Sequence, residues 1–283
     1  MKAMIFAAGL GTRLKPITDT IPKALVPVCG QPLLYHVITK LVAAGYDDLV
    51  VNVHHFPDQI IDYLRTHDFG ARIAVSDERD FLRETGGGIK YARILLEEGT
   101  GGLPESLLRD PSHKWALPSY DAEGGTDSGR PPIPSSPFLV HNVDIVSNLD
   151  LNWFREQHRE GALATLVVSE RKTQRYFLFD GDDRLKGWTN IATGEVRSPY
   201  PDIDPEKCRK LAFSGIHLIS PVIFEAFDKL GFGERFSITD FYLKACADYP
   251  IYAAVPPDFT MVDVGKKETL SEAERVCETI ILR

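Results

Sequence analysis

Residues 1–16 read M-K-A-M-I-F-A-A-G-L-G-T-R-L-K-P, and residues 21–28 read I-P-K-A-L-V-P-V. The opening apolar run of seven or eight residues is too short to span a bilayer. Arg13 and Lys15 also stand where a signal peptide would place a small-residue cleavage site. The run therefore reads as a buried first strand. Gly9 and Gly11 free the backbone for conformations and close approaches that other residues resist, while Thr12, Arg13 and Lys15 add donors and positive charge. An anion, above all a phosphate, is the guest that suits this loop. Pro22 and Pro27 stiffen the chain around Lys23 and hold one ammonium group at low conformational cost, so Arg13 and Lys23 can clamp a triphosphate from two sides.

The segments that follow alternate between strand and helix. Leu33 to Ala44 carries apolar residues at helical spacing and stops at Gly45. Leu49 to Val53 is a β-branched run fit for a buried strand, Pro57 to Arg65 a short helix, and Ala71 to Val75 another strand. Such alternation predicts a mostly parallel sheet covered on both faces, with ligands at the carboxyl ends of its strands, where the glycine loop lies. A glycine triplet at 86–88 feeds a helix from Ile89 to Glu97. Residues 99–137 turn rich in Gly, Pro, Ser and Asp and read as a mobile insertion. F-L-V-H-N-V-D-I then delivers Asp144 at the end of a buried strand. Strands near Ala162–Ser169, Tyr176–Phe179, Arg184–Trp188 and Leu211–Ile219 suggest a more antiparallel extension. Helices follow near Pro221–Phe227, Ile238–Ala247 and Lys267–Ile281. The expected division is one domain, 1–283, in two parts, 1–149 and 150–283.

Composition narrows the function. The 283 residues are 43% hydrophobic and 25% charged, ordinary for a globular protein in water, and no apolar stretch reaches the length of a membrane helix. A net charge of −8 argues against general nucleic-acid binding, which needs a basic face. Yet Met1 to Tyr46 holds Lys2, Arg13, Lys15, Lys23 and Lys40 against Asp19 alone. A local basic site on an acidic chain suits a small polyanion. Cys29, Cys208, Cys246 and Cys277 are scattered without a C-x-x-C pair, which predicts reduced thiols in a cytoplasmic protein. His54, His55 and His141 fit no zinc spacing and read as polar groups at strand ends. The acidic D-G-D-D at 180–183 reads as a hairpin turn.

The loop is not a Walker A motif, since no G-K-[ST] follows, and it lacks the third glycine of the dinucleotide fingerprint. G-L-G-T-R-L-K-P, P-K-A-L-V-P-V and G-Q-P-L-L instead resemble the signature of the sugar-phosphate nucleotidyltransferases. E-T-G-G-G-I at 84–89, F-L-V-H-N-V-D at 138–144, F-S-G-I-H at 213–217 and V-D-V-G at 262–265 extend that resemblance over nearly the whole chain outside the insertion. It implies an α/β, Rossmann-like, three-layer α/β/α fold with a mixed, mostly parallel central sheet. It also implies an enzyme that joins a nucleoside triphosphate to a sugar 1-phosphate and releases pyrophosphate.

By that resemblance Ala8, Gly9, Gly11, Thr12, Arg13 and Lys23 bind the nucleotide phosphates, with Arg13 and Lys23 catalytic. Glu84, Gly86 and Gly87, with Gly88, meet the base. Asp144 and Asp263 hold one Mg²⁺, and Asn142, Trp188, Asn190 and Gly215 face the sugar. Val143 departs from the family, which has glycine before the first metal aspartate. The E-K-P lysine that holds the sugar phosphate in many relatives is also missing, leaving Arg197 and Lys186 as weak substitutes. E-T-G-G-G-I and A-F-S-G-I-H-L-I look most like the N-acetylmuramate-1-phosphate uridylyltransferases of cell-wall sugar recycling, which implies UTP. Mannose-1-phosphate or heptose-1-phosphate guanylyltransferases share these motifs. A non-catalytic, nucleotide-sugar-sensing regulatory subunit is a reading from another class, and a further one makes the insertion a docking segment for a partner or a second copy in a homo-oligomer. No partner nucleic acid or membrane is implied.

Overall fold

The computed structural model describes residues 1–98 and 136–280. The expected insertion at 99–137 lies outside these residues apart from its last two. Strands are β1 (Lys2–Phe6), β2 (Pro27–Val28), β3 (Gln31–Pro32), β4 (Asp48–Val53), β5 (Arg72–Asp77), β6 (Phe138–Asn142), β7 (Ile145–Ser147), β8 (Ala164–Ser169), β9 (Arg175–Phe179), β10 (Leu185–Asn190), β11 (Glu195–Arg197), β12 (Arg209–Ile219), β13 (Ile251–Ala254) and β14 (Met261–Asp263). Helices are α1 (Leu33–Ala43), α2 (Pro57–Thr66), α3 (Glu84–Tyr91), α4 (Arg93–Glu98), α5 (Leu151–Glu156), α6 (Ile223–Lys229), α7 (Ile238–Ala245) and α8 (Lys267–Ile280).

Among the described residues the main sheet runs β11-β10-β9-β12-β6-β1-β4-β5, with β8 also on β12 and β13 on β8. It is parallel across β6, β1, β4 and β5, and antiparallel where β12 meets β6, β8 and β9. The mixed sheet and flanking helices match the fold class expected from the sequence. Side-chain alternation explains the layering: Ala3, Ile5, Leu49 and Val51 enter one core with Leu34, Val37 and Ile38 of α1, whereas Met4 and Val50 enter the other with Ile89, Phe224 and Phe241. α1 ends where Gly45 takes φ 83°, as its position predicted. Among the described residues no helix is long and apolar enough to cross a membrane.

Two expectations are corrected. The glycine triplet does not precede a helix but lies inside α3. Three helical glycines cost about 1 kcal/mol each relative to alanine, and close packing overrides that cost. A Cβ on Gly86 would stand 2.3 Å from the Phe236 ring, and one on Gly87 2.2 Å from the Glu234 carbonyl oxygen. Gly87→Ala should therefore destabilise the fold by about 1–3 kcal/mol, since the backbone it strikes has no flexible end to swing away. Urea unfolding monitored by circular dichroism checks this, and an unchanged midpoint would refute the packing argument.

The second correction concerns thiols. Cys208 and Cys246 are free, but Cys29 is disulfide-bonded. Cys29 lies at the β2–β3 turn with φ 52°, and its N–H donates to Glu274 Oε2 of α8 at 3.0 Å. Chain spacing carried no sign of that distant packing.

Candidate active site

The floor of the site is a buried polar relay. Asn52 closes β4 one residue before its end, and its Oδ1 accepts from Ala7 N–H at 2.8 Å and Ala8 N–H at 3.3 Å. Its Nδ2 donates to Glu78 Oε1 at 2.8 Å, while Glu78 Oε2 accepts from Arg83 N–H at 3.3 Å. Glu78 is fully buried, and burial raises its carboxyl above the ordinary range against these hydrogen bonds. The relay turns the chain after β1 away from the sheet. Among the described residues, the N–H groups of Gly9, Leu10 and Gly11 then donate to no protein acceptor.

The two loop glycines act differently. Gly11 has φ 62°, and a Cβ there would strike Thr18 Cγ2 at 2.8 Å. Gly9 has an ordinary φ, and a Cβ there would meet nothing within 4 Å. Among the described residues nothing demands glycine at position 9; the space beside it is cavity. Backbone donors beside such space can form an anion cradle.

Lys23, 8% exposed, pairs with Asp144. Asp144 follows β6, and the short β7–β14 ladder sets Asp263 opposite Ile145, so the two aspartates meet from strands far apart in sequence. Asp263 Oδ1 is buried without a hydrogen-bond partner among the described residues. Burial first, then the nearby charge of Asp144, push the Asp263 carboxyl above its usual range, with Lys23 and Arg13 opposing. Gly265 clears the way: a Cβ there would stand 2.7 Å from both Asp263 Oδ1 and Arg13 Nη2.

Two cavities share Asp144 in their walls, and Asp263 lines the smaller of them. The larger, about 510 Å³, is lined by Ala8, Gly9, Gly11, Thr12, Arg13, Lys23, Glu84, Asn142 and Asp144 of the expected residues. The smaller, about 290 Å³, is lined by Asn142, Asp144, Gly215 and Asp263. Gly215 has φ 77°, and its missing side chain makes room for Asn142 Nδ2, 2.5 Å from where a Cβ would be. Other expected residues lie elsewhere. Gly86 and Gly87 N–H donate to the Phe236 carbonyl at 2.9 and 3.2 Å and line neither cavity. Trp188 and Asn190 sit on β10, outside both, with the Arg197 guanidinium over the Trp188 ring. Lys186 pairs with Asp180 at 3.2 Å and Arg197 with Asp240 at 2.7 Å.

Sequence reasoning passed over Asn52, Glu78, Thr85 and Ser237 in the larger cavity and Arg171 and His217 in the smaller. Asn52 had one available signal, a polar residue inside the apolar L-V-V-N-V. Of the three histidines weighed as metal ligands, His54 Nδ1 meets the Glu78 carbonyl at 2.7 Å, His55 Nε2 the Thr18 carbonyl at 3.3 Å and His141 Nδ1 the Asn142 carbonyl at 2.8 Å. Burial lowers His141 to about 4 and His217 to about 3, so both are neutral near pH 7.

Residues 2–102 match the nucleotidyl transferase family. That stretch is 101 of the 283 residues. N-acetylmuramate alpha-1-phosphate uridylyltransferase of Caulobacter vibrioides is 51% identical over 100 residues, 34% of this chain and 41% of that protein. UTP–glucose-1-phosphate uridylyltransferase of Synechocystis is 29% identical over 272 residues, 94% of this chain and 60% of that protein. The matched stretch thus spans less than two thirds of each relative's length. The crystal structure of HddC from Yersinia pseudotuberculosis shares the fold, with TM-score 0.67, 21% identity, and 97% of this chain and 98% of that one covered. The nucleotidyl transferase match covers the anion cradle, Arg13, Lys23, Asn52, Glu78 and Glu84. Asp144, Asp263 and the lining of the smaller cavity other than Phe6 and Thr85 lie beyond it.

Proposed function

We propose that this nucleotidyl transferase domain joins a nucleoside triphosphate to a sugar 1-phosphate, with UTP and N-acetylmuramate 1-phosphate as the pair, in cytoplasmic recycling of cell-wall sugar. The observation that carries the reading is the junction at Asp144, which lines both cavities and is held by Lys23. A triphosphate fits the larger cavity over the anion cradle, and a sugar phosphate the smaller. A sugar phosphate oxygen then attacks the α-phosphorus in line, the bond from that phosphorus to the bridging oxygen breaks, and pyrophosphate leaves. Two anions must approach each other, so charge neutralisation and positioning carry most of the catalysis. Arg13 and Lys23 supply the cations, Gly9 to Gly11 the backbone donors, and Asn142 at the shared wall a donor for the sugar.

Asp144 and Asp263 suit Mg²⁺. The orphaned Asp263 oxygen and the mutual repulsion of two close carboxylates are what a hard divalent cation relieves, and Mg²⁺ takes one or two carboxylates together with phosphates and water. Bound there, it would neutralise phosphate oxygens and act as a template. The preference for UTP and the muramate sugar rests on the Caulobacter relative. Pyrophosphate release from UTP, GTP, CTP and dTTP crossed with muramate, N-acetylglucosamine, glucose, mannose and heptose 1-phosphates tests the reading, with Asp144→Asn as control. Turnover with UTP and the muramate alone is expected; a preference for GTP with mannose or heptose phosphate would replace it with a guanylyltransferase, and silence throughout would refute the transferase.

A further inference from the structure

The smaller cavity poses a charge problem. Asp144 and Asp263 bring two carboxylates to its wall, His217 is buried neutral, and Lys23 is already engaged with Asp144 from the other side. A sugar phosphate would add further negative charge to this space. Lys186 and Arg197, the cations the sequence offered for it, are bound to Asp180 and Asp240 and line neither cavity. Among the described residues lining the smaller cavity, Arg171 is the one lysine or arginine.

Its placement is built into the sheet. Arg171 follows the end of β8, and its Nη2 donates to the Phe213 carbonyl of β12 at 3.1 Å. Phe213 stands where the β8–β12 register shifts, at the bulge that carries Gly215 with its φ of 77°. The arm is thereby tied across the bulge beside the cavity. A guanidinium has five N–H donors, and this bond uses one. Among the described residues the rest meet no acceptor, and they can take two oxygens of a phosphate in the forked geometry that favours arginine over lysine.

We propose that Arg171 holds the 1-phosphate of the sugar substrate. The inference rests on the transferase reading above. It differs from a mere surface arginine in fixing which end of the sugar faces the α-phosphorus: the phosphate lies on Arg171 and the junction, and the ring extends along Gly215 and Asn142.

Calorimetric binding of N-acetylmuramate 1-phosphate, N-acetylglucosamine 1-phosphate and unphosphorylated N-acetylmuramate to the wild-type chain, Arg171→Ala, Arg171→Lys and Lys186→Ala tests it, alongside steady-state kinetics. Loss of a charge-assisted bidentate contact should weaken both sugar phosphates, in Kd and KM, about 10- to 100-fold. The KM for the nucleoside triphosphate should stay within about twofold, Arg171→Lys should recover part of the loss, and Lys186→Ala should match wild type. The unphosphorylated sugar should bind Arg171→Ala as it binds wild type. Unchanged sugar phosphate affinity would overturn the proposal. So would weakening confined to the two muramate sugars, which would put Arg171 on the lactyl carboxylate instead. A wild-type chain that binds sugar 1-phosphates through Arg171 but releases no pyrophosphate would sustain this inference and overturn the transferase reading alone.

Discussion

Lys23→Ala is expected to lower the rate of pyrophosphate release about a thousandfold at saturating substrates. A cation about 4 Å from a phosphate charge at an effective dielectric near 20 is worth up to about 4 kcal/mol, which is close to three decades in rate. The structure favours the upper part of that range. Lys23 has a side chain only 10% exposed, and its ammonium reaches Asp144 at the junction of the two cavities. Solvent can do little to screen a charge so placed. It is also already positioned, since Lys23 sits in a short 3-10 turn between Pro22 and Val26 and needs no ordering when the phosphates arrive. Removing it leaves Asp144 without its counter-ion, so the variant should also lose about 1–2 kcal/mol of stability, less than a fully buried pair because Asp144 keeps 20% exposure. Rate loss and stability loss are separable by measuring turnover below the melting temperature of the variant. A folded Lys23→Ala that keeps more than about a tenth of wild-type turnover would remove Lys23 from catalysis.

The parts of the site that were legible in the sequence are those in which one short segment carries both the chemistry and its geometry. Gly11, Arg13 and Lys23 lie within thirteen residues of each other, and the φ of 62° at Gly11 is a local demand that only the type of residue reveals. The α/β alternation was legible for the same reason, since each strand and helix declares its own period. What failed to show needed contacts from elsewhere. Gly86 and Gly87 look like a loop until Glu234 and Phe236 are packed against them, nearly one hundred and fifty residues later. Asp144 and Asp263 are joined by strands of three residues each, too short for any periodic signal, and their pairing came from resemblance alone. Trp188 and Asn190 had the right chemistry for a sugar, but β10 lies beyond β9 and β12 in the sheet, away from both cavities. Arg171 had the opposite fate: in S-E-R-K-T it is one of two adjacent cations in a loop, and only the β12 bulge makes it part of the site.

Asp263→Asn should move activity and stability in opposite directions. Pyrophosphate release should fall by about a thousandfold or more, because the variant loses one of two carboxylates able to hold Mg²⁺ beside the phosphates. The metal-free fold, however, should be as stable as wild type or more stable by about 1 kcal/mol. Asp263 is a liability in that state: its Oδ1 is buried and unpartnered, and the carboxyl is disfavoured by burial and by Asp144 more than it is helped by Lys23 and Arg13. Asparagine keeps the size and removes the charge, leaving the β14 backbone pairing with β7 intact. A group that weakens the resting fold yet completes the site has its compensation in the ligand. Excess Mg²⁺ should therefore raise the melting temperature of the wild-type chain, since a cation that binds only the folded state stabilises it by mass action, and should have little effect on Asp263→Asn. Thermal melts of both chains in EDTA and in excess MgCl₂ provide the measurement. A variant that is markedly less stable than wild type in EDTA would mean that Asp263 is a structural residue. A variant that keeps the full Mg²⁺ shift would mean that the cation binds elsewhere, and in either case the pairing of Asp144 with Asp263 would cease to be the metal site.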